Sequence, residues 1–375
     1  MAHWLRLIAF LSIACGYALA AGAQPIKTQE HTVQVATLVS GLENPWGLAF
    51  LPDGRLLITE RPGRMRIVSA DFKLSPDPIK GLPAVAAVGQ GGLLDVALHP
   101  RFADNGWVYW SFAAAGNGGV GTEVARGKLR GDRMENVEVI FRALPKRNGG
   151  LHFGSRLVFD RSGYLFITLG DRGDRDRAQR LDEHLGKIIR LHDDGKIPAD
   201  NPFANRSDAR RESFSLGHRN VQGAALHPAT GILWTHEHGP QGGDEVNIVT
   251  AGINYGWPEI TYGAEYGSGA RIGFGTARAG VAQPIHTWAP SIAPSGMAFY
   301  GGSAFARWQG DLFVGALAGR VLVRLRLQGD KVVHEERLLS GTIGRIRDVR
   351  LGPDGLIYLL SDQSNGVLAR IEPVR

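Results

Sequence analysis

The chain has a single cysteine in 375 residues, Cys15, and it lies within an apolar segment near the start. Once that segment is set aside, no residue remains for a disulfide, a thiolate metal site or a cysteine nucleophile. Long hydrophobic runs are missing too. The longest, residues 7–19, is shorter than a membrane-spanning helix requires. No block of five like charges occurs, and the formal charge of +6 is spread along the chain, so nucleic-acid binding is not indicated. Lysine is scarce beside arginine, 8 against 34. Helical periodicity is nearly absent as well; only residues 177–191 read as a short helix.

Arg6 precedes the apolar run and Ala21-Gly22-Ala23 comes after it. That gives residues 1–23 the form of a cleaved secretory signal and leaves residues 24–375 as one expected domain. Loss of Arg6 lowers the formal charge by one, from +6 to +5. The mature chain is expected to be secreted, or periplasmic in a host with two membranes. Lipid anchoring at Cys15 is disfavoured because Ser12 stands where a lipobox carries leucine. A chain of this size buries a large core without disulfides.

Glycine is abundant: 51 of 375 residues, about twice the usual share of about 7%. The glycines have no period and accompany a recurring unit of apolar run, polar turn and apolar run. Gly47 to Thr59 is one copy, and Leu94 to Pro100 with Trp107 to Ser111 is the next. Arg156 to Thr168, Ala224 to Thr235, Gly296 to Tyr300 with Asp311 to Gly315, and Asp348 to Leu360 complete six. β-Branched and aromatic residues alternate around Pro, Asp and Gly in each, the signature of a strand–turn–strand. Six copies about 50–70 residues apart predict a six-bladed β-propeller with a four-stranded antiparallel sheet per blade. The long segments 171–215 and 255–292 are expected as loops over one face of the disc.

Several short clusters carry candidate chemistry. His152 stands just before the third copy and Asp171 just after it, so a hairpin would bring them together. A carboxylate that holds one imidazole nitrogen orients the ring and raises its basicity, as a general base requires. Arg219, Asn220 and Gln222 precede Gly239-Pro240 and Asp244-Glu245, a set suited to an anionic ligand and a hard cation. Arg345 and Arg347 share a strand face and would repel each other unless an anion lies between them. Gly89-Gln90-Gly91-Gly92 would let a flat ligand approach the backbone. His236 and His238 also share a face, which could mean zinc, but no third ligand stands at a suitable spacing. Gly116 to Gly121 matches G-x-G-x-x-G, yet the next ten residues, with a glycine inside them, make a poor helix, and the segment reads as a loop.

In this order and spacing, the motifs from Leu42 to Ile371 resemble the soluble pyrroloquinoline-quinone-dependent glucose dehydrogenases and aldose sugar dehydrogenases. The resemblance implies His152 as the base that takes the sugar's anomeric hydroxyl proton, with Asp171 orienting it. It implies Arg219 as the group that stabilises negative charge on the quinone oxygen. Gln90, Asn220, Arg345 and Arg347 would hold the quinone, and the carbonyls of Gly239 and Pro240 a Ca²⁺ beside it. Glu245 and Tyr255 would bind a second, structural Ca²⁺. An aldose and an external electron acceptor are the implied partners, and a monomer or homodimer the implied state. One departure stands out. Gly315-Ala-Leu-Ala318 lacks the family's lysine, and Arg320 is the nearest cation that could replace it. A lactonase-type propeller would need carboxylates converging on the central channel, and no such set is evident in the sequence. A propeller that only binds carbohydrate or a protein partner would need no oriented base.

Overall fold

The computed structural model describes residues 24–374. The proposed leader, with Cys15, lies outside them. Six antiparallel sheets are arranged around an axis, with almost no helix, so the fold is a six-bladed β-propeller. Each of the six sequence repeats forms the two inner strands of one blade. Pro45–Phe50 and Leu56–Glu60 start blade one, and Ile346–Leu351 and Ile357–Ser361 start blade six. These strands are apolar almost throughout because both of their faces are covered by neighbouring blades. The first strands of successive blades neighbour one another around the ring, and blade six meets blade one.

Four blades have four strands. Blade one has three in its sheet, and blade six has five. The extra strands come from the start of the chain: Thr32–Leu42 pairs with Gly366–Pro373, and Ile26–Lys27 pairs with Thr32–Leu42. Joining the two ends of the chain in one sheet closes the ring and leaves fewer exposed edges. Among the described residues, no helix is long and apolar enough to cross a membrane.

Two expectations need correction. Residues 177–191 are not helical: a 3₁₀ turn, Arg175–Gln179, precedes the strand Lys187–Leu191. Gly186 separates them at φ +67°, and Ile188 and Ile189 are buried in the sheet, where β-branched side chains fit. Segments 171–215 and 255–292 are therefore not loops throughout: the first supplies Lys187–Leu191 and most of Ser213–Leu216, the outer strands of blade three, and the second supplies His286–Trp288, the outermost strand of blade four. The G-x-G-x-x-G segment is the tight turn of a long hairpin, with Trp107–Gly116 paired to Gly119–Arg130.

The axis is filled by charge. Arg156 Nη1 lies 3.2 Å from Asp95 and 2.9 Å from Asp348, and Arg350 bridges the same two carboxylates at 2.6 and 2.8 Å. All are buried except Arg350, which is half-buried. Carboxylates do converge on the channel, then, but two guanidiniums neutralise them. That removes the free acid set a metal-dependent lactonase centre would need.

Candidate active site

In each blade the first strand begins, and the second ends, on the same face of the disc, because the two form a hairpin. Residues at those positions ring the mouth of the channel. Arg61, His238, Leu317 and Asp362 each come directly after a second strand, and Trp46, Leu94, Gln222 and Arg347 stand near the start of a first strand. They enclose an inner cavity of about 350 Å³. Beside it opens an outer cleft of about 420 Å³, lined by His152, Asp171, Arg219, Pro240 and Trp257, with the exposed side chains of Leu151 and Tyr266 at its mouth. Gln90 lines both spaces.

His152 and Asp171 meet as the hairpin argument requires. His152 Nδ1 lies 2.6 Å from Asp171 Oδ1, and among the described residues the ring makes no other hydrogen bond. With Nδ1 turned to the carboxylate, Nε2 is the nitrogen left for a ligand in the cleft. Asp171 also accepts the indole N–H of Trp257 at 2.7 Å and the backbone N–H of Gly173 at 2.8 Å. Burial alone would push the Asp171 carboxyl up, but His152, Gly173 and Trp257 together hold it below the usual carboxylate range. The backbone of His152 has φ +51°, an unfavourable region for a residue with a Cβ. It is held there from two sides. Gln90 Oε1 accepts the His152 N–H at 2.8 Å, and Arg172 donates to the carbonyls of Leu151 and Gly149 at 3.0 and 2.8 Å while covering the Phe153 ring at 3.6 Å.

Arg345 and Arg347 project together, and the anion between them is Asp362. Its Oδ2 accepts from Arg345 Nη2 at 3.1 Å and from Arg347 Nη2 at 3.0 Å. Burial alone would raise the Asp362 carboxyl, but the two guanidiniums hold it low. Arg347 Nη1 also donates to Gln222 Oε1 at 3.2 Å, and its Nε is buried with no partner. Three arginines and one carboxylate line the inner cavity, which therefore carries an excess of positive charge.

Arg219 crosses to blade four's loop, where its Nη1 donates to the carbonyls of His238 and Gly239 at 3.1 and 2.7 Å. Asn220 is buried and gives its amide oxygen to Gly154 N–H and Gln222 Nε2, both at 3.2 Å, so it supports the cavity wall from behind. His238 Nε2 lies 2.7 Å from the Pro294 carbonyl. His236 is fully buried, with neither ring nitrogen bonded. Among the described residues there is no group of three or more His, Cys, Asp or Glu side chains placed to hold a metal ion.

A third, very small cavity of about 10 Å³ lies between Glu237, Glu245, Gly239 and Tyr255. Glu237 and Glu245 stand directly opposite each other on paired strands. Glu237 is engaged by His218 at 2.8 Å and by the backbone N–H of Arg219. Glu245 Oε2 accepts from Asn247 Nδ2 at 3.3 Å, and among the described residues it has no cationic partner. Burial and then the Glu237 charge push its carboxyl up to about 8. The Tyr255 hydroxyl is used elsewhere, donating to the Ile248 carbonyl at 2.6 Å, so only its backbone carbonyl is free to meet a cation.

Sequence reasoning missed Trp46, Arg61, Asp362 and Trp257 as parts of the site. Trp257 stands two residues after Tyr255, and that nearness is the signal that could have found it. The others carry no local signal, because they come together only through the ring.

The fold and the site define a propeller with a carboxylate-held histidine beside a cationic cavity, and the comparisons place it among the sugar dehydrogenases. Residues 42–370 match the family model for glucose/sorbosone dehydrogenases. Aldose sugar dehydrogenase YliI of Escherichia coli is 48% identical over 348 residues, covering 91% of this chain and 93% of that protein. A crystal structure described as glucose dehydrogenase superposes with TM-score 0.88 at 52% identity, covering 90% of this chain and 99% of that one. The pyrroloquinoline-quinone-bound aldose sugar dehydrogenase of Streptomyces coelicolor superposes with TM-score 0.74 at 29% identity, covering 91% and 98%. The chain belongs to the glucose/sorbosone dehydrogenase family and is a sugar dehydrogenase.

Proposed function

We propose that this enzyme oxidises aldoses at the anomeric carbon to lactones, using pyrroloquinoline quinone and Ca²⁺. The observation that carries this reading is the carboxylate-held His152 in an open cleft that lies beside a guanidinium-lined cavity. The quinone-bound state of the Streptomyces relative supports the choice of cofactor.

The residues present fit these groups. A planar tricarboxylate suits a cavity with three guanidiniums, one carboxylate and an unpartnered Arg347 Nε. Arg345, Arg347 and Gln90 would hold it, with Asn220 fixing the wall behind. Gly239 and Pro240 would offer carbonyl oxygens to one Ca²⁺. Glu245 and the Tyr255 carbonyl would take a second, which would relieve the unpaired acid. When bound, the quinone supplies a two-electron acceptor for the anomeric hydride and Ca²⁺ supplies a Lewis acid beside it.

The chain's own residues do the rest. His152 Nε2 takes the proton of the anomeric hydroxyl, and Asp171 stabilises the imidazolium this creates. Trp257 and Gly173 keep the Asp171 carboxylate turned to the ring. Arg219 places a fixed positive charge where negative charge builds as the hydride leaves. Its Nη1 already occupies the Gly239 carbonyl, so a cation at that oxygen requires the guanidinium to yield it. The same reading puts the mature chain in the periplasm or the medium, as a monomer or homodimer that passes electrons to an external acceptor.

The test is dye-linked oxidation of an aldose panel by apo-protein with Ca²⁺, with and without the quinone, beside His152→Ala. Activity that needs the quinone and is lost in the variant supports the reading. No oxidation and no quinone binding by wild type would overturn it.

A further inference from the structure

Arg61 lines the inner cavity, yet no motif points to it. It comes directly after the second strand of blade one, the position that Asp362 holds in blade six. Its environment differs from that of the other two cavity arginines. Arg345 and Arg347 share the Asp362 carboxylate, whereas Arg61 makes no ion pair among the described residues. Its one side-chain bond runs from Nη1 to the Gly89 carbonyl at 2.6 Å, which leaves the remaining donors of the fork uncommitted. Blade five contributes no cation here. Leu317 faces the cavity, while Ala318 and Arg320 are exposed and outside its lining.

We propose that Arg61 grips a carboxylate of the bound polycarboxylate cofactor, as the third guanidinium of the cavity and the one not already neutralised by an acid of this chain. This rests on the quinone-binding reading of the site. An uncompensated guanidinium in a half-enclosed cavity gains more from a ligand carboxylate than one that already shares a carboxylate. It also gives the cavity a cation from blade one where blade five supplies none.

The test is equilibrium titration of the Ca²⁺-loaded apo-protein with pyrroloquinoline quinone over a range of salt concentrations, for wild type, Arg61→Gln and Arg61→Lys. Loss of one charge-assisted contact should weaken binding by the glutamine variant about tenfold. Its salt dependence should also be shallower than that of wild type, because one cation fewer faces the ligand. Arg61→Lys should keep the wild-type salt dependence with intermediate affinity. Unchanged affinity in Arg61→Gln overturns the proposal. So does weaker binding with an unchanged salt dependence, which would mean that Arg61 only supports the Gly89 loop. Failure of wild type to bind the quinone at all would instead sink the functional reading, and this proposal with it.

Discussion

The side-chain oxygen of Gln90 accepts the backbone N–H of His152 at 2.8 Å, and the Gln90 N–H donates to the Gly150 carbonyl at 2.7 Å. A blade-two loop thus holds the blade-three segment that carries the candidate base in a left-handed backbone conformation. Gln90 was expected to bind cofactor. The structure gives its amide oxygen to His152, so Gln90 also acts as a positioning residue.

Gln90→Ala should therefore lower kcat more than it raises the KM for the aldose. A base misplaced by about 1 Å can cost on the order of 10²-fold in rate. Steady-state kinetics at saturating quinone would separate the two parameters. A change confined to KM would contradict the positioning role.

For His152→Ala, removal of a general base should lower kcat by about 10²–10⁴-fold. Quinone affinity, measured by titration, should stay near that of wild type, because the ring points into the cleft and makes no contact with the cavity arginines. Full activity in this variant would rule out His152 as the base.

Asp171 ties activity and stability to pH. Its carboxyl is depressed in the folded chain, so the folded state binds fewer protons than the unfolded one near the ordinary carboxylate range. The stabilisation is complete above the unfolded value and disappears as pH falls through the depressed one. Asp171→Asn should flatten that acid limb in melting experiments, and it should also slow turnover because the imidazole loses its charged partner. An unchanged acid limb would show that the pair does not contribute to it.

Glu245 makes a separate prediction about metal. An unpaired carboxylate beside Glu237 disfavours the folded state unless a cation joins them. Added Ca²⁺ should raise Tm, and chelator should reverse the rise. Glu245→Gln should raise the Tm of the metal-free protein and abolish most of the Ca²⁺ response. Calorimetry of wild type and variant, with Ca²⁺ and with chelator, would check it. An identical Ca²⁺ response in Glu245→Gln would remove Glu245 from the ligand set.

The axial packing can be tested at Gly296. A Cβ there would overlap both Asp348 Oδ1 and the Val349 nitrogen, with no flexible group able to give way. Gly296→Ala should cost about 1–3 kcal/mol, read from denaturant melts. Wild-type stability would show that the channel network relaxes easily.

The propeller and the nearness of His152 to Asp171 were legible in the sequence, and both for local reasons. The inner strands are buried on both faces, so each repeat shows as an apolar run broken by a turn, and His152 and Asp171 flank one hairpin. The outer strands were not legible, and Lys187–Leu191 was misread although all five of its residues are buried, because a single glycine, Gly186, decides where the turn before it ends. Only the closed ring brings Arg61, Trp46 and Asp362 to one cavity from opposite ends of the chain. The spacing of Arg345 and Arg347 implied an anion between them, but not that the chain itself supplies it. Such meetings are set by strand register and ring closure, which act across hundreds of residues and leave no mark on the local sequence.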